Sequence, residues 1–495
     1  MSEGESAPRR LHPATLIVKW IRIVPQTLIG GVGIAATGSG RGLSRFLMFA
    51  AIAAGISAFF VILAWWRFTY MLGDDEIVIE KGIFKRQRRV IPFARIQDIA
   101  IEQRLLARLL GCATVRLETG GSSKDEGNLD MIALADAHKL RDRIRRGRAA
   151  PLAVPDETGA LPAAAVEEPV LFAMDLPRLL VAGLFNFSLV FLAAIGAAIQ
   201  YLDQFNLVEW DEWINAERAD QAAHLVTLWT TIYLIMVVLL LGVVAGIVRM
   251  VMTNFGFRLT RAEAGLRRKR GLFTLTEVVI PLRRTQVALI ESGPFGRWFG
   301  WYALSFQTLG ADRKEGGVQA AAPFARMEEL LPILAEAGFP MPPPRAEFHG
   351  PPRRALLRQA SLWLLLAAVA TGIAFWIEPY AGIAALVLFV AFVLAVMWWK
   401  RHAHAMDDRA LFISHGFLKR RLWIIPFEKA QTIRVSRGPV QRRLSLASLL
   451  VDTAGASSMH SQAIVDLDGV EADRLGDRLL ALFYRARAAT RLQQS

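Results

Sequence analysis

The sequence predicts an α+β membrane protein made of three helix hairpins, about six transmembrane helices, each followed by a small antiparallel β-barrel or sheet domain with a C-terminal helix. Three observations carry that class. A template recurs three times without a gap: Gly82, Gly271 and Gly416 stand ten residues before Pro92, Pro281 and Pro426, and Gln97, Gln286 and Gln431 follow five after each proline. Arginines lie sixteen after (Arg108, Arg297, Arg442) and threonines twenty-seven after (Thr119, Thr308, Thr453). Long apolar segments precede each copy, and charged, helix-like tails follow, so one unit is used three times. Composition agrees: 54% hydrophobic residues, a mean hydropathy of +0.34 and a formal charge of +14 are too apolar for an ordinary soluble chain and too charged for one wholly in lipid.

The apolar segments set the expected membrane part. Spanning a hydrocarbon core of roughly 30 Å takes about 20 apolar residues, and 46–66, 179–202, 225–248, 360–377 and 381–399 meet or nearly meet that requirement without an Asp, Glu, Lys or Arg. A sixth span is read at 23–36, short, Gly-rich and interrupted by Pro25, with an interfacial or re-entrant segment as the alternative. Lys19 and Arg22 before it would suit a signal peptide, but the run continues through Gly38 and Gly40 into a full apolar segment, so cleavage is not expected. Arg9, Arg10, Lys19 and Arg22 precede the first span and six carboxylates lie in 203–220; the positive-inside rule puts both termini and all three sheet domains in the cytoplasm. Arg41 and Arg45 argue the other way.

The expected organisation follows: 1–66, an N-terminal segment and first helix pair; 67–147, the first sheet domain; 148–174, a linker; 175–250, the second helix pair; 251–338, the second domain; 339–354, a Pro-rich linker; 355–400, the third pair; 401–487, the third domain; and 488–495, a tail. Prolines at 151, 155, 162 and 169, and at 340, 342, 343, 344, 351 and 352, mark the two linkers, because such stretches cannot continue a helix. Within the first domain, 76–80 and 84–91 read as a hairpin turning at Lys81-Gly82, with strands at 98–102, 113–118 and 129–134 and a helix at 135–146.

These residues resemble a known family. Tyr70, Gly82-Ile83-Phe84, Ile91-Pro92-Phe93-Ala94-Arg95-Ile96-Gln97-Asp98-Ile99 and Leu106-Ala107-Arg108-Leu109-Leu110-Gly111 are similar to the bacterial pleckstrin-homology-like domain (bacterial PH domain type 2) of YdbT-like membrane proteins. The second copy departs at Leu282-Arg283-Arg284, and the third at Phe427-Glu428-Lys429 and at Ser445, where the others have Gly111 and Gly300. The resemblance implies PH-like domains in a membrane-anchored, non-catalytic protein used for binding or assembly at the bacterial envelope.

The chemistry is sparse. Basic residues rim the repeated glycines: Lys81, Lys85, Arg86, Arg88 and Arg89; Arg267, Arg268, Lys269 and Arg270; Lys419, Arg420 and Arg421. They are candidate anionic-lipid contacts, since basic groups near an anionic leaflet contribute about 1 kcal/mol each; a charged strand edge guarded against aggregation is the competing reading. Gly82, Pro92, Gln97, Gly271, Pro281, Gln286, Gly416, Pro426 and Gln431 are read as structural, for turns, strand ends and backbone satisfaction. The Gly31-x-Gly33 stretch lacks the acidic ribose partner of a dinucleotide site, and Gly242-x-x-x-Gly246 reads as a helix-packing face. The pair His402 and His404 has no third ligand, so no metal is expected. One cysteine, Cys112, excludes a disulfide scaffold. No cofactor loop or catalytic cluster occurs, and the reading is of no enzyme. The expected partners are anionic membrane lipids rather than nucleic acid, with envelope proteins and a homo-oligomer as further candidates. A multi-pass scaffold in the inner membrane is preferred over a transporter or channel component, because the five main spans contain no acidic or basic side chain and no proline.

Overall fold

The computed structural model describes residues 8–20, 42–83, 85–119, 127–149, 168–186, 228–263, 265–308, 318–375, 381–416, 419–454 and 462–492. The weak first span at 23–36, most of the span at 179–202, and the acidic loop at 203–220 lie outside these residues.

Each repeat folds as two three-stranded meanders. The first comprises β1 (Thr69–Leu72), β2 (Glu76–Lys81), β3 (Gln87–Pro92), then β4 (Ile96–Arg104), β5 (Cys112–Thr119) and β6 (Gly127–Ala133). After β7 (Val170–Ala173) the second comprises β8 (Arg258–Ala262), β9 (Gly265–Arg270), β10 (Thr274–Ile280), β11 (Thr285–Ser292), β12 (Tyr302–Thr308) and β13 (Val318–Ala325). The third comprises β14 (Ala403–Met406), β15 (Ala410–His415), β16 (Arg420–Pro426), β17 (Ala430–Ser436), β18 (Leu446–Thr453) and β19 (Gln462–Asp468). The helices are α1 (Gly42–Trp66), α2 (Leu105–Leu109), α3 (Leu134–Ala149), α4 (Leu176–Phe185), α5 (Leu228–Asn254), α6 (Pro294–Trp298), α7 (Met327–Glu336), α8 (Arg353–Phe375), α9 (Ala381–Arg401), α10 (Pro439–Arg443) and α11 (Gly469–Leu492).

The repeated residues occupy repeated geometry. Gly82, Gly271 and Gly416 have φ of 121°, 116° and 124°. A Cβ there would lie 2.0 Å from the carbonyl oxygen three residues on, at Lys85, Thr274 and Lys419. Only glycine fits such a turn. The strand register shifts between Ile96 and Asp98, Thr285 and Val287, and Ala430 and Thr432, so Gln97, Gln286 and Gln431 each mark a β-bulge. The bulge does not bury the glutamine equally: Gln286 is buried and donates to the Arg284 carbonyl at 3.1 Å, whereas Gln431 is exposed.

The chain divides into two compact units. One comprises Met1–Pro169, Ala173–Arg258 and Arg267–Val279. Its core gathers Ile77, Ile79 and Ile91 with Phe93, Ile96, Val115 and Leu129, closed by Leu140 and Ile144 of α3. Each such side chain stabilises the fold by about 1.5–3 kcal/mol through removal from water. Here Gly246 of α5 passes so close to α4 that a Cβ would lie 2.6 Å from the Asn186 carbonyl oxygen. The other unit comprises Val170–Phe172, Leu259–Leu266 and Ile280–Ser495. In it Trp423, Phe427, Leu449 and Val451 pack with Leu479 and Phe483 of α11.

Two features correct the expected fold class. The small domains are not separate: the strands lie in four antiparallel sheets, and repeats share them. β4 of the first repeat pairs with β10 of the second, and β11 of the second pairs with β16 of the third. A meander leaves its outer strands with unused N–H and C=O groups, and those of the next repeat satisfy them. The six transmembrane helices are the second correction: among the described residues no helix is long and apolar enough to cross a membrane. About 20 residues are needed. In α8 the first turns carry Arg353, Arg354 and Arg358.

Candidate functional site

The two junctions between repeats obey one rule. In the first, Thr276 faces Glu102 and Glu277 faces Ile101; in the second, Arg421 faces Glu291 and Leu422 faces Ile290. Counted from each repeat's own proline, the residue five before it always faces the residue ten after the proline of the preceding repeat. A one-residue slip would turn every side chain to the other face, so identical register at both junctions marks a specified interface.

That interface engages two of the clustered basic residues directly, and most of the others have partners within their own repeat or its flanking segments. Lys419 Nζ and Arg421 Nε reach the half-buried Glu291 carboxylate at 2.6 and 3.0 Å. Arg420 donates to the Ser414 hydroxyl at 2.9 Å, and burial, with Arg345 and Arg297 nearby, lowers its pKa. In the second repeat Arg267 meets Glu168 at 3.0 Å and Glu277 at 3.8 Å, Arg268 is 3% exposed, and Arg270 donates to the Asn254 amide oxygen at 3.3 Å; Lys269 is exposed. Glu277 also accepts from Arg141 of α3. The first repeat differs. Lys85, Arg86 and Arg88 are exposed, Lys81 and Arg89 are half-buried, and Arg88 approaches Glu80 only at 3.6 Å. The three clusters are therefore not equivalent: 267–270 precede the turn glycine, whereas 85–89 and 419–421 follow it.

A second feature escaped sequence reasoning. The five-residue helices α2 and α6 occupy equivalent places after the fourth strand, and both point large apolar side chains outward. Leu105, Leu106, Leu109 and Leu110 are exposed in the first, with Leu109 at 76%; Phe295, Trp298 and Phe299 are exposed in the second, with Trp298 at 77%. In α10 only Val440 matches, beside exposed Arg442 and Arg443. The signal was present as doubled apolar residues flanking Arg108 and Arg297, but a five-residue helix is too short for periodicity to declare.

The histidines form a third cluster. His404 and His349 lie 6.0 Å apart, His402 stacks near His415 at 5.6 Å, and Trp423 Nε1 donates to His415 Nε2 at 3.0 Å. Burial pushes His402, His404 and His415 down to about 4, with Arg358, His349, and His402 with Arg421 as the respective charges that add to it. Such rings are neutral at physiological pH. Among the described residues no group of three His, Cys, Asp or Glu side chains could hold a metal.

Two meanders, a closing C-terminal helix and a triply repeated hairpin glycine define a PH-type domain used in series. Comparison with known families agrees: the Bacterial PH domain model matches residues 21–148, 179–337 and 361–482, and this chain belongs to that family. It is 24% identical over 487 residues to the UPF0699 transmembrane protein YdbT of Bacillus subtilis (strain 168), covering 93% of this chain and 96% of that protein. It is 31% identical over 81 residues to the UPF0699 transmembrane protein YdbS of the same strain, covering 16% and 48%. No solved structure matches it.

Proposed function

We propose that the chain is a non-enzymatic scaffold that works at a bacterial membrane, with its PH-type repeats held against the anionic cytoplasmic leaflet. The observation that carries this reading is the outward apolar face of α2 and α6. Clustered exposed leucines and a Trp–Phe pair are costly in water, and aromatic rings favour the boundary between head groups and acyl chains. Arg108 and Arg297 beside them are placed to meet lipid phosphate. Phe59, Leu240 and Leu365 on the long helices, each more than half exposed, support the same environment. Lys85, Arg86 and Arg88 would add electrostatic attraction. The name of the full-length relative, a transmembrane protein, agrees with a membrane setting, and neither the family description nor the relatives' names carry a reaction.

The test is flotation of the purified full chain with phosphatidylglycerol vesicles. Leu106→Glu with Leu109→Glu, and Phe295→Glu with Trp298→Glu, should each lower vesicle binding about tenfold, the effect of losing roughly 1.4 kcal/mol, while circular dichroism stays unchanged. Full retention of binding by folded variants would sink the reading.

A further inference from the structure

Every third strand that follows another described repeat is paired on both sides, whereas that of the first repeat is paired on one side among the described strands. Within its sheet the order is β1-β2-β3, so β3 is an edge among the described strands, with Gln87, Arg88 and Val90 exposed. Its chemistry is nevertheless that of an occupied edge. Lys85 stands seven residues before Pro92, as Lys419 stands seven before Pro426, and Lys419 is the residue that grips Glu291. The first repeat thus keeps one half of an ion pair whose other half is supplied, in the third repeat, by an incoming fourth strand.

The chain's own free strand does not fit. β17 lies at the edge of the order β17-β18-β19. In the register of the two internal junctions, it would set Ser436 opposite Gln87 and Arg434 opposite Arg89. The paired strands carry Glu102 and Glu291 at the first of these positions and Ala100 and Leu289 at the second. A second copy would therefore bring no carboxylate to Lys85 and would face arginine with arginine, and like charges directly opposite across a ladder repel. Both changes fall on the fourth strand of the third repeat, where they oppose head-to-tail growth of copies of this chain.

We propose that β3 is a docking edge for the fourth strand of a bacterial PH domain on a different polypeptide, one presenting a carboxylate opposite Gln87 within reach of Lys85. The backbone ladder supplies affinity and the acidic residue supplies register, the division of labour seen wherever a strand adds to a sheet edge. This inference does not depend on how the repeats meet the membrane.

The experiment gives β17 the missing features. In the detergent-solubilised full chain, Arg434→Leu with Ser436→Glu restores the pattern of β11 at two exposed positions. Light scattering reads the mass, and a carbodiimide link between Lys85 and position 436 in mixed isotope-labelled chains reads the register. Expected are concentration-dependent head-to-tail species that the unmodified chain does not form even at about tenfold higher concentration, together with the intermolecular link, both removed by adding Lys85→Glu. An unmodified chain that already forms the same concentration-dependent species by light scattering, lost on Lys85→Glu, overturns the exclusion of self. A variant that stays monomeric and unlinked overturns the docking edge. If that monomer binds phosphatidylglycerol vesicles and Lys85→Glu releases it, the edge serves the bilayer instead.

Discussion

β3 and β16 are the same strand in two circumstances. Both leave a glycine turn of nearly identical φ, both end at the template proline, and both begin beside a lysine seven residues before it. β16 is paired on both sides and its lysine is bonded to Glu291; β3 is paired on one side and its lysine is exposed. Local sequence makes the hairpin, and the neighbouring repeat decides what its charges do. A basic cluster beside a repeated turn is thus a strand lock or a free charged edge according to what pairs with it.

The largest expected difference between the two regions is in acid. The third repeat carries His402, His404 and His415 with pKa values lowered to about 4 from 6.5. A histidine whose folded pKa is depressed binds its proton more readily when unfolded, so the stability it confers is complete above pH 6.5 and is lost as pH falls towards 4. Each shift corresponds to as much as about 3 kcal/mol. Unfolding followed by hydrogen exchange from pH 7 to 4.5 should open β14–β16 before β1–β3, and His402→Phe should delay that opening. Equal acid sensitivity in the two hairpins would show that burial of the rings does not govern it.

Next in size is the turn itself, where the regions should not differ. Gly82→Ala, Gly271→Ala and Gly416→Ala each force a Cβ to within 2.0 Å of a carbonyl oxygen at a φ that alanine avoids. Each should cost about 3 kcal/mol, read as a lowered thermal midpoint. A benign Gly82→Ala would mean that the open hairpin relaxes where the paired ones cannot.

That contrast also shows what was legible in the sequence. The triple Gly, Pro and Gln spacing located the hairpin turns because backbone conformation is a local demand, but the bulges at the glutamines and the division into two meanders were not read from it. Which strand pairs with which neighbour was not legible: β11 and β17 are both short and half apolar, and Glu291 against Ser436 with Leu289 against Arg434 separates the joined strand from the free one. Grouping Arg267–Arg270 with Lys85–Arg89 failed for the same reason, because residues before and after a turn lie on different strands. The apolar segments suggested six spans by composition alone, and composition does not say how much of a run forms one helix.

A smaller effect separates the lock from its vacant counterpart. Glu291→Gln keeps the shape but loses two charge-assisted bonds to Lys419 and Arg421. It should cost about 1–2 kcal/mol, discounted because Lys419 is half exposed. Lys85→Ala should change stability by no more than about 0.5 kcal/mol. Chemical denaturation of the two variants measures both. A comparable loss at Lys85 would mean that it already has a partner in the folded chain and that β3 is not vacant.

The smallest expected effect lies where the third repeat departs from the template. Gly111 and Gly300 close the short helices α2 and α6 with φ of 64° and 70°, and their N–H groups bond back to the carbonyls of Arg108 and Arg297. Ser445 takes the same place after α10, with φ of 53° and the same bond to the Arg442 carbonyl at 3.3 Å. A side chain held in the left-handed region costs about 1 kcal/mol relative to glycine, and nothing in the turn removes that cost, because Ser445 is exposed. Glycine would also enlarge the unfolded ensemble, which offsets part of the gain. Ser445→Gly should therefore stabilise the third repeat by a little under 1 kcal/mol, and Gly111→Ser should destabilise the first by a similar amount. Thermal unfolding of both variants in one detergent decides it. A destabilising Ser445→Gly would mean that the serine hydroxyl contributes more than backbone strain takes away, and that the third repeat closes its short helix by a different device from the other two.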